Sequence, residues 1–395
     1  MGSKELRLYI ASEKDILEGK ITDIYFVRTK KIIKAKGLDN VVVRMEVHLG
    51  GLPKGYEWAV YAGLEEVLKI LSQRPLTVYS LPEGTLVKSY FPVMIIEGKY
   101  YDICELETAV LGILRHYTSI ATRAARFKRL AMDKTILYFG LRGAHPAIAP
   151  MLDRAAYIGG VDAVSGAFNE ETIGVKPSGT MPHALIIVFG DPVKAWKAFD
   201  EVVEPEVPRI ALIDTFNDER NEALLAAKAL GKKLYGIRFD TPKSRRGDMK
   251  LLIEEVKWTL HLYGYDHVKI VVSGGISEET IVKLRDVVDA FGVGTSITYP
   301  KPIDMSMDIV EVYKDNEWIP ITKRGKMPGA KKVYKCDVLD YEVTSWNEKP
   351  KRCSENLMVK WLDKGVLVRE LPSVKEIRDY VLKQLSKVPE PTPVD

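Results

Sequence analysis

The sequence predicts an α/β protein whose central part is a parallel barrel. Short apolar runs alternate with helical segments between residues 136 and 297, and most runs end on a glycine or a charged residue. In addition, two consecutive strands around residues 270 and 290 end in glycine-rich loops. Both patterns are typical of a barrel whose active face lies at the carboxyl ends of its strands.

The pattern divides the 395 residues into three predicted domains. Residues 1–110 read as a small α+β domain, with strands at 41–49, 76–81 and 93–96 and a helix at 64–71. Residues 111–300 form the barrel. Residues 301–395 begin after a break at Pro300 and Pro302, and they end in a strand at 357–362 and a helix at 374–385. We therefore expect a separate C-terminal domain.

Composition excludes several classes of protein. Hydrophobic residues make up 46% of the chain and charged residues 28%, as in ordinary globular proteins. The net charge is only +4 and no basic stripe occurs, so nucleic acid is not an expected partner. The first residues lack an apolar signal region and no run is long enough to span a membrane, so a cytoplasmic location is expected.

Cysteine usage predicts neither a disulfide framework nor a metal centre. The chain has three cysteines, which are too few for such a framework. Cys336 and Cys353 both lack the Cys-x-x-Cys spacing of zinc ribbons, and two thiolates do not complete a four-ligand site. No protein-bound structural metal is therefore expected.

The two glycine-rich loops suggest a phosphate site. One strand stops at Gly274 and Gly275, followed by a helix with Ser277 as its N-cap, and the next strand stops before Gly294 and Thr295. A right-handed βαβ unit places the ends of adjacent parallel strands side by side. Glycines let the backbone approach an anion, and free N–H groups attract it. The alternative is a pair of tight turns that bind nothing.

Charged residues follow the other predicted strands. A phosphorylated substrate would suit this set, because arginines bind anionic oxygens in pairs and carboxylates hold Mg²⁺. The alternative is that each aspartate caps a helix. The predicted strand-end residues are Arg142, Asp162, Asp214, Arg238 and Asp240.

His183 is the most informative histidine. It ends the turn sequence of residues 178–183, just before an apolar run at 184–189 that is either a strand or a helix. We expect its ring to face the barrel mouth, where histidine can accept a phosphoryl group. The alternatives are a general hydrogen-bonding role or a buried structural one. Tyr25, in an aromatic segment at residues 21–26, is either functional or an ordinary packed ring.

Taken together, these motifs resemble the nicotinate phosphoribosyltransferases of the archaeal type over nearly the whole chain. The resemblance implies an irregular, incomplete (β/α) barrel of the type II phosphoribosyltransferase fold with an N-terminal open-faced α/β sandwich domain. It also implies a homodimer or an assembly of dimers. Relatives carry a four-cysteine zinc knuckle in the C-terminal domain, which here is a degenerate zinc-ribbon-like segment. The match is carried by residues 25–29, 139–146, 158–165, 179–183, 212–215, 238–247, 272–276 and 291–297.

The resemblance further implies a reaction in NAD salvage. Nicotinate and phosphoribosyl pyrophosphate would give nicotinate mononucleotide and pyrophosphate, with Mg²⁺ as cofactor and ATP hydrolysed as co-substrate. His183 would be transiently phosphorylated. Tyr25 from a neighbouring subunit and Phe139 would sandwich the pyridine ring, and Thr180 and Arg238 would contact nicotinate.

The remaining implied roles concern the sugar and its phosphates. Asp214 and Asp240 would face the ribose and the pyrophosphate with Mg²⁺, and Arg142 would bind an anionic group. Two alternative functions stay open: quinolinate phosphoribosyltransferase, which decarboxylates its substrate, and a non-catalytic phosphosugar-binding regulator. The residues implied to hold the 5-phosphate are Gly274, Gly275, Gly294 and Thr295.

Overall fold

The computed structural model describes residues 6–394. The strands predicted at 41–49, 76–81 and 93–96 and the helix predicted at 64–71 are confirmed. Through residue 131, the helices are α1 (Glu13–Leu17), α2 (Ile24–Ala35), α3 (Leu64–Leu71), α4 (Tyr100–Ile103) and α5 (Glu107–Ala131), and the strands are β1 (Val42–Leu49), β2 (Ala59–Val60), β3 (Thr77–Ser80), β4 (Leu86–Val87) and β5 (Pro92–Lys99).

Strands and helices then alternate through the predicted barrel. The apolar run at 184–189 is a helix, which settles the choice left by its sequence. The strands are β6 (Thr135–Tyr138), β7 (Ala163–Val164), β8 (Arg209–Leu212), β9 (Leu234–Phe239), β10 (Lys269–Val272) and β11 (Ala290–Val293). The helices are α6 (Ala149–Ile158), α7 (Asn169–Ile173), α8 (His183–Phe189), α9 (Pro192–Val202), α10 (Glu219–Leu230), α11 (Met249–Leu262), α12 (Glu278–Leu284) and α13 (Thr295–Thr298).

The last part of the chain is mainly strand. Its closing helix begins with a capping box, in which Ser373 and Glu376 satisfy each other's backbone N–H groups. The elements are β12 (Met305–Lys314), β13 (Glu317–Pro320), β14 (Lys331–Asp337), β15 (Asp340–Ser345), β16 (Glu355–Asn356), β17 (Val359–Asp363), β18 (Val366–Leu367) and α14 (Val374–Leu385). In the part of the chain that the structure describes, no helix is both long and apolar enough to span a bilayer.

A six-stranded parallel sheet forms the barrel, in the order β7-β6-β11-β10-β9-β8. Side chains from β6, β8, β10 and β11 pack into one buried cluster, although β6 and β8 are not hydrogen-bonded neighbours. The sheet is therefore curled without closing on itself. The incomplete α/β barrel expected from the sequence is confirmed.

The expectation of a separate C-terminal domain over residues 301–395 is wrong. Strand β12 pairs with β1, and β17 pairs with β3, within one seven-stranded antiparallel sheet of order β13-β12-β1-β5-β3-β17-β18. The chain up to Thr122 and Lys301–Val388 thus form one compact unit, while Arg123–Pro300 and the segment from Pro389 form the other. The first segment of this unit ends at Thr122, within α5, instead of at the predicted boundary of 110. Strands distant in sequence complete its sheet.

One disulfide forms in the C-terminal part, between Cys336 and Cys353. Cys336 lies in β14, and Cys353 follows a turn that the Glu342 carboxylate holds in place. This carboxylate accepts the backbone N–H groups of Lys351, Arg352 and Cys353, at 2.6, 2.7 and 3.0 Å. The hairpin β14–β15 and this turn bring together two cysteines that are 17 positions apart.

Removing this disulfide is expected to lower the free energy of unfolding by about 3 kcal/mol, because the bridge restricts the unfolded chain. The double variant Cys336→Ser/Cys353→Ser should unfold at a lower urea concentration than the oxidised protein. Reductant should lower the unfolding midpoint of the oxidised protein towards that of the variant, and it should leave the midpoint of the variant unchanged. Equal midpoints for the two proteins without reductant would contradict the prediction.

Candidate active site

The carboxyl ends of the parallel strands bring several predicted site residues to one edge of the barrel. Phe139 follows β6, Asp214 lies two positions after β8, and Asp240 follows β9. Ser273 follows β10 and Gly294 follows β11. Because all six strands run in the same direction, these positions share the edge where barrel enzymes carry out their chemistry.

The three residues predicted to be catalytic lie together. The Nε2 atom of His183 is 3.5 Å from Asp240 Oδ2 and 3.7 Å from Asp214 Oδ1. Its Nδ1 atom is 3.1 Å from the Thr215 hydroxyl. Helix α8 begins at His183, and 36% of this side chain is exposed. The alternative of a buried structural histidine therefore does not hold.

Asp214 is the most unusual carboxyl group of the site. Its side chain is only 3% exposed, and this desolvation, reinforced by the Asp240 charge and opposed by His183, raises its pKa to about 6. Its Oδ2 atom accepts the backbone N–H of Asp240 at 3.2 Å, whereas its Oδ1 atom has no hydrogen-bond partner among the described residues. Asp240 itself accepts the Ser273 hydroxyl at 2.7 Å.

Two further buried polar atoms beside these carboxylates also lack a partner. Arg238 donates through Nη2 to the Met181 carbonyl at 2.9 Å, but its Nε and the neighbouring Thr180 hydroxyl make no hydrogen bond within residues 6–394. Burial lowers the pKa of Arg238, the nearby charge of Arg142 acts in the same direction, and Asp240 and Asp214 oppose it. Buried polar groups rarely stay unpaired. Thr180, Arg238 and Asp214 therefore present unsatisfied atoms suited to a polar ligand.

The two glycine turns lie side by side, as the sequence predicts. Strands β10 and β11 are adjacent, with Val272 opposite Phe291. Gly274 and Gly275 adopt positive φ angles of 79° and 62°, which side chains rarely tolerate. Further along, the Ser296 hydroxyl donates to the Ile276 carbonyl at 2.7 Å and so ties the two turns together.

A cavity of about 640 Å³ opens beside these turns. Hydroxyl groups of Ser277 and Ser296, which follow the two turns, line it together with basic side chains. Its charge suits a phosphorylated ligand. These cations are not among the predicted site residues, although the Lys-Ser-Arg-Arg run at 243–246 is a sequence signal for two of them, Lys243 and Arg246. The basic lining residues are Arg123, Lys243, Arg246 and Lys283.

Two aromatic residues predicted to hold a ring differ in their surroundings. Phe139 is half-buried over Gly292, where an added Cβ would lie 2.7 Å from the phenyl ring. Tyr25 lies in the first turn of α2, in the other compact unit, and its side chain is 55% exposed. Within this chain, the Tyr25 ring contacts the Phe26 ring, with their centroids 4.3 Å apart.

Asp162 is the predicted site residue that the structure places elsewhere. Residues 158–163 do not end a strand: α6 ends at Ile158, and β7 begins only after Asp162. The Asp162 carboxylate accepts the Ile136 backbone N–H at 2.8 Å and the Lys128 ammonium at 2.7 Å. These contacts lie where β6 and β7 begin, at the opposite edge of the sheet. Arg142, by contrast, lies after β6 and is exposed near Arg238.

Comparison with known proteins identifies the family of this chain. The family described as "Quinolinate phosphoribosyl transferase, C-terminal domain" matches residues 120–308, and the corresponding N-terminal domain matches residues 23–118. The nicotinate phosphoribosyltransferase of Bacillus subtilis is 28% identical over 80% of this chain and 72% of its own length. The nicotinate phosphoribosyltransferase pncB1 of Mycobacterium tuberculosis is 30% identical over 80% and 77%.

Solved structures agree with these sequence matches. The crystal structure of a nicotinate-nucleotide pyrophosphorylase from Pyrococcus furiosus superposes with a TM-score of 0.93, at 52% identity over 97% of this chain and 99% of that one. Human nicotinic acid phosphoribosyltransferase superposes with a TM-score of 0.77 over 93% of both chains, and at 20% identity it supports the fold alone. The chain therefore belongs to the quinolinate and nicotinate phosphoribosyltransferase family, the type II phosphoribosyltransferases.

Proposed function

We propose that this protein is a nicotinate phosphoribosyltransferase, which joins nicotinate to phosphoribosyl pyrophosphate and releases pyrophosphate. The observation that carries the proposal is the convergence of His183, Asp214 and Asp240 at the barrel edge that also bears the paired glycine turns. The glycine turns suit the phosphate of a sugar phosphate, and the cluster of His183, Asp214 and Asp240 suits a charged leaving group. The relatives from Bacillus subtilis and Mycobacterium tuberculosis described above carry this activity in their names.

Ribosyl transfer needs positioning more than covalent chemistry from the protein. Departure of pyrophosphate from the anomeric carbon builds positive charge on the ribose ring, which nearby carboxylates stabilise. Backbone N–H groups of the glycine turns would fix the 5-phosphate, so that the anomeric carbon lies in line with the pyridine nitrogen. Asp240 would face the ribose, because Gly274 lies directly beside its carboxylate.

Nicotinate would bind at the unsatisfied polar atoms. The Thr180 hydroxyl and Arg238 Nε are both buried and unpartnered, and both donate hydrogen bonds of the kind a carboxylate accepts. The phenyl ring of Phe139 would cover one face of the pyridine. Tyr25 is exposed in the other compact unit, so we assign it to the site of a neighbouring subunit, in a homodimer or an assembly of dimers.

Mg²⁺ fits this donor set as a companion of the substrate. Within residues 6–394, no group of three or more histidine, cysteine or acidic side chains is arranged to hold a metal. Asp214, with its unpartnered Oδ1, and Asp240 offer two carboxylates, which suits an ion that also binds phosphate oxygens and water. When bound, Mg²⁺ would neutralise the charge of the pyrophosphate. We also assign ATP as co-substrate and a cytoplasmic location, where these phosphorylated substrates occur.

Quinolinate phosphoribosyltransferase is the second candidate, and two observations favour it. The similar Pyrococcus furiosus protein is named a nicotinate-nucleotide pyrophosphorylase, and Arg142 lies near Arg238, where a second carboxylate would need a cation. The structures named NadC are only 17–18% identical and support the fold alone. The sequence relatives described above are named nicotinate phosphoribosyltransferases, and they favour nicotinate as the substrate.

An assay with each acid separates the candidates. The purified protein should convert nicotinate and phosphoribosyl pyrophosphate into nicotinate mononucleotide, detected by mass, and ATP should increase the yield. Quinolinate should give neither nucleotide nor carbon dioxide. Release of carbon dioxide from quinolinate would overturn the proposal. Tight binding of phosphoribosyl pyrophosphate without any turnover would instead favour a non-catalytic regulator.

The raised pKa of Asp214 predicts an acidic limit to activity. The ionised carboxylate is the form that stabilises positive charge, and it becomes protonated as the pH falls through about 6. Below that pH, kcat/KM for phosphoribosyl pyrophosphate should fall about tenfold per pH unit. The substrate phosphate also titrates near pH 6. The residual activity of Asp214→Asn is the control, and an unchanged acidic limb in this variant would assign the limb to the substrate.

A further inference from the structure

A buried ion cluster lies directly behind the two glycine turns. Glu278, the first residue of α12, is completely buried. Arg123 and Arg126 reach it from one face of α5, and both are also buried. All three residues belong to the compact unit that contains the barrel. Charged side chains are rarely buried unless they are paired, so the contacts that hold these three side chains in the interior are informative.

Hydrogen bonds fill the acceptor positions of the Glu278 carboxylate. Its Oε1 atom accepts from Arg123 Nη1 and from Arg126 Nε, the latter at 2.9 Å. Its Oε2 atom accepts from Arg126 Nη2 at 2.9 Å and from the Val394 backbone N–H at 2.8 Å. An ionised carboxylate offers about four such positions. The carboxylate is therefore held in one orientation.

The same cluster reaches both glycine turns. Arg123 Nε donates to the Ser296 carbonyl at 3.2 Å, in α13, which directly follows the turn after β11. Glu278 lies two positions after Ile276, in the turn after β10, and the Ser296 hydroxyl bonds the Ile276 carbonyl. These bonds connect the two turns to each other and connect each turn to the buried cluster. Movement of either turn would therefore disturb a buried charge.

A second segment completes the cluster from outside the barrel sequence. Arg126 Nη2 donates to the Thr392 carbonyl at 2.7 Å, and Arg123 Nη1 donates to the Val394 carbonyl at 2.8 Å. Residues 392–394 therefore contact both arginines as well as the Glu278 carboxylate.

We propose that Glu278 and Arg126, with residues 392–394, are positioning residues that hold the two glycine turns at the spacing required by the 5-phosphate. The inference rests on the proposed function. Arg126 is 1% exposed and does not line the cavity, so it acts through the turns and touches no substrate. This separates its role from that of Arg123, which lines the cavity itself.

Two variants test the proposal. Arg126→Lys keeps the charge but loses the two-pronged contact with Glu278, and Glu278→Gln keeps the shape but loses the charge. For each, the KM for phosphoribosyl pyrophosphate should rise about tenfold while the KM for nicotinate stays within about twofold. Asp286→Asn removes one exposed carboxylate just after α12 and should change neither constant.

Hydrogen exchange provides a readout that does not depend on turnover. In both variants the amides of residues 273–276 and 294–297 should exchange faster, while those of β1 stay unchanged. Equal rises in both KM values, or faster exchange throughout the chain, would show a purely structural role and overturn the proposal. If Glu278→Gln does not fold, the KM values and exchange rates of the charge-preserving variant Arg126→Lys test the proposal.

Failure of the proposed function is distinguishable from failure of this inference. If the unsubstituted protein turns over no pyridine acid, the proposed function fails. Binding of ribose 5-phosphate, measured by calorimetry, then tests the positioning role alone. Its Kd should rise about tenfold in Arg126→Lys. An unchanged Kd would overturn the inference.

Discussion

Replacing Asp240 with asparagine is expected to lower kcat/KM for phosphoribosyl pyrophosphate by about a hundredfold to a thousandfold. The Asp240 carboxylate lies beside Gly274, accepts the Ser273 hydroxyl at 2.7 Å and faces His183 at 3.5 Å. Asparagine preserves these dimensions but removes the charge that stabilises the ribosyl cation. The change should be measured by initial rates over a range of phosphoribosyl pyrophosphate concentrations.

Asp162→Asn is the matched control, because this aspartate was also predicted at a strand end but lies at the opposite edge of the sheet. We expect its kcat/KM to stay within about twofold of that of the unsubstituted protein, as surface changes away from a site have small effects. A large loss in Asp162→Asn together with a small loss in Asp240→Asn would contradict the placement of the site.

Replacing His183 with alanine is expected to abolish the gain that ATP gives to the reaction, while some uncoupled transfer remains. The γ-phosphoryl group of ATP would move to a ring nitrogen of His183, ADP would leave, and water would later release phosphate. The ring lies within 4 Å of Asp214 and Asp240, so its phosphorylation would change the charge around the pyrophosphate. Rates with and without ATP give the measurement, together with acid-labile labelling by ATP.

His145→Ala serves as the control for this prediction. His145 is exposed, and its Nδ1 atom accepts only the Ala147 backbone N–H at 3.1 Å among the hydrogen bonds described. We expect His145→Ala to keep both the ATP gain and the labelling. Normal coupling in His183→Ala would mean that another residue accepts the phosphoryl group.

Local patterns predicted the barrel and most of the residues at the carboxyl ends of its strands. The apolar runs ending at Gly274 and Gly294 identified adjacent strands, because a short βαβ unit allows few arrangements. The turn before His183 correctly indicated a ring at the barrel mouth. In both cases the pattern that carries the prediction is local in the sequence.

The failures involve contacts between distant residues. No local signal shows that β12 pairs with β1, because the two strands are separated by more than half of the chain. Asp162 was misplaced because Gly159 and Gly160 close a helix, and glycine pairs terminate helices as well as strands. The cluster around Glu278 has no local sequence signal either, because its members come from three separate segments: α5, α12 and residues 392–394.

A crystal structure with bound nicotinate mononucleotide tests the central claim most directly. We predict that the 5-phosphate accepts hydrogen bonds from backbone N–H groups of both turns, at Gly275 and at Gly294 or Thr295, with the ribose facing Asp240. The nicotinate carboxylate should meet Thr180 and Arg238. A nucleotide whose phosphate lies away from both glycine turns, or whose ribose is remote from Asp240, would contradict the account.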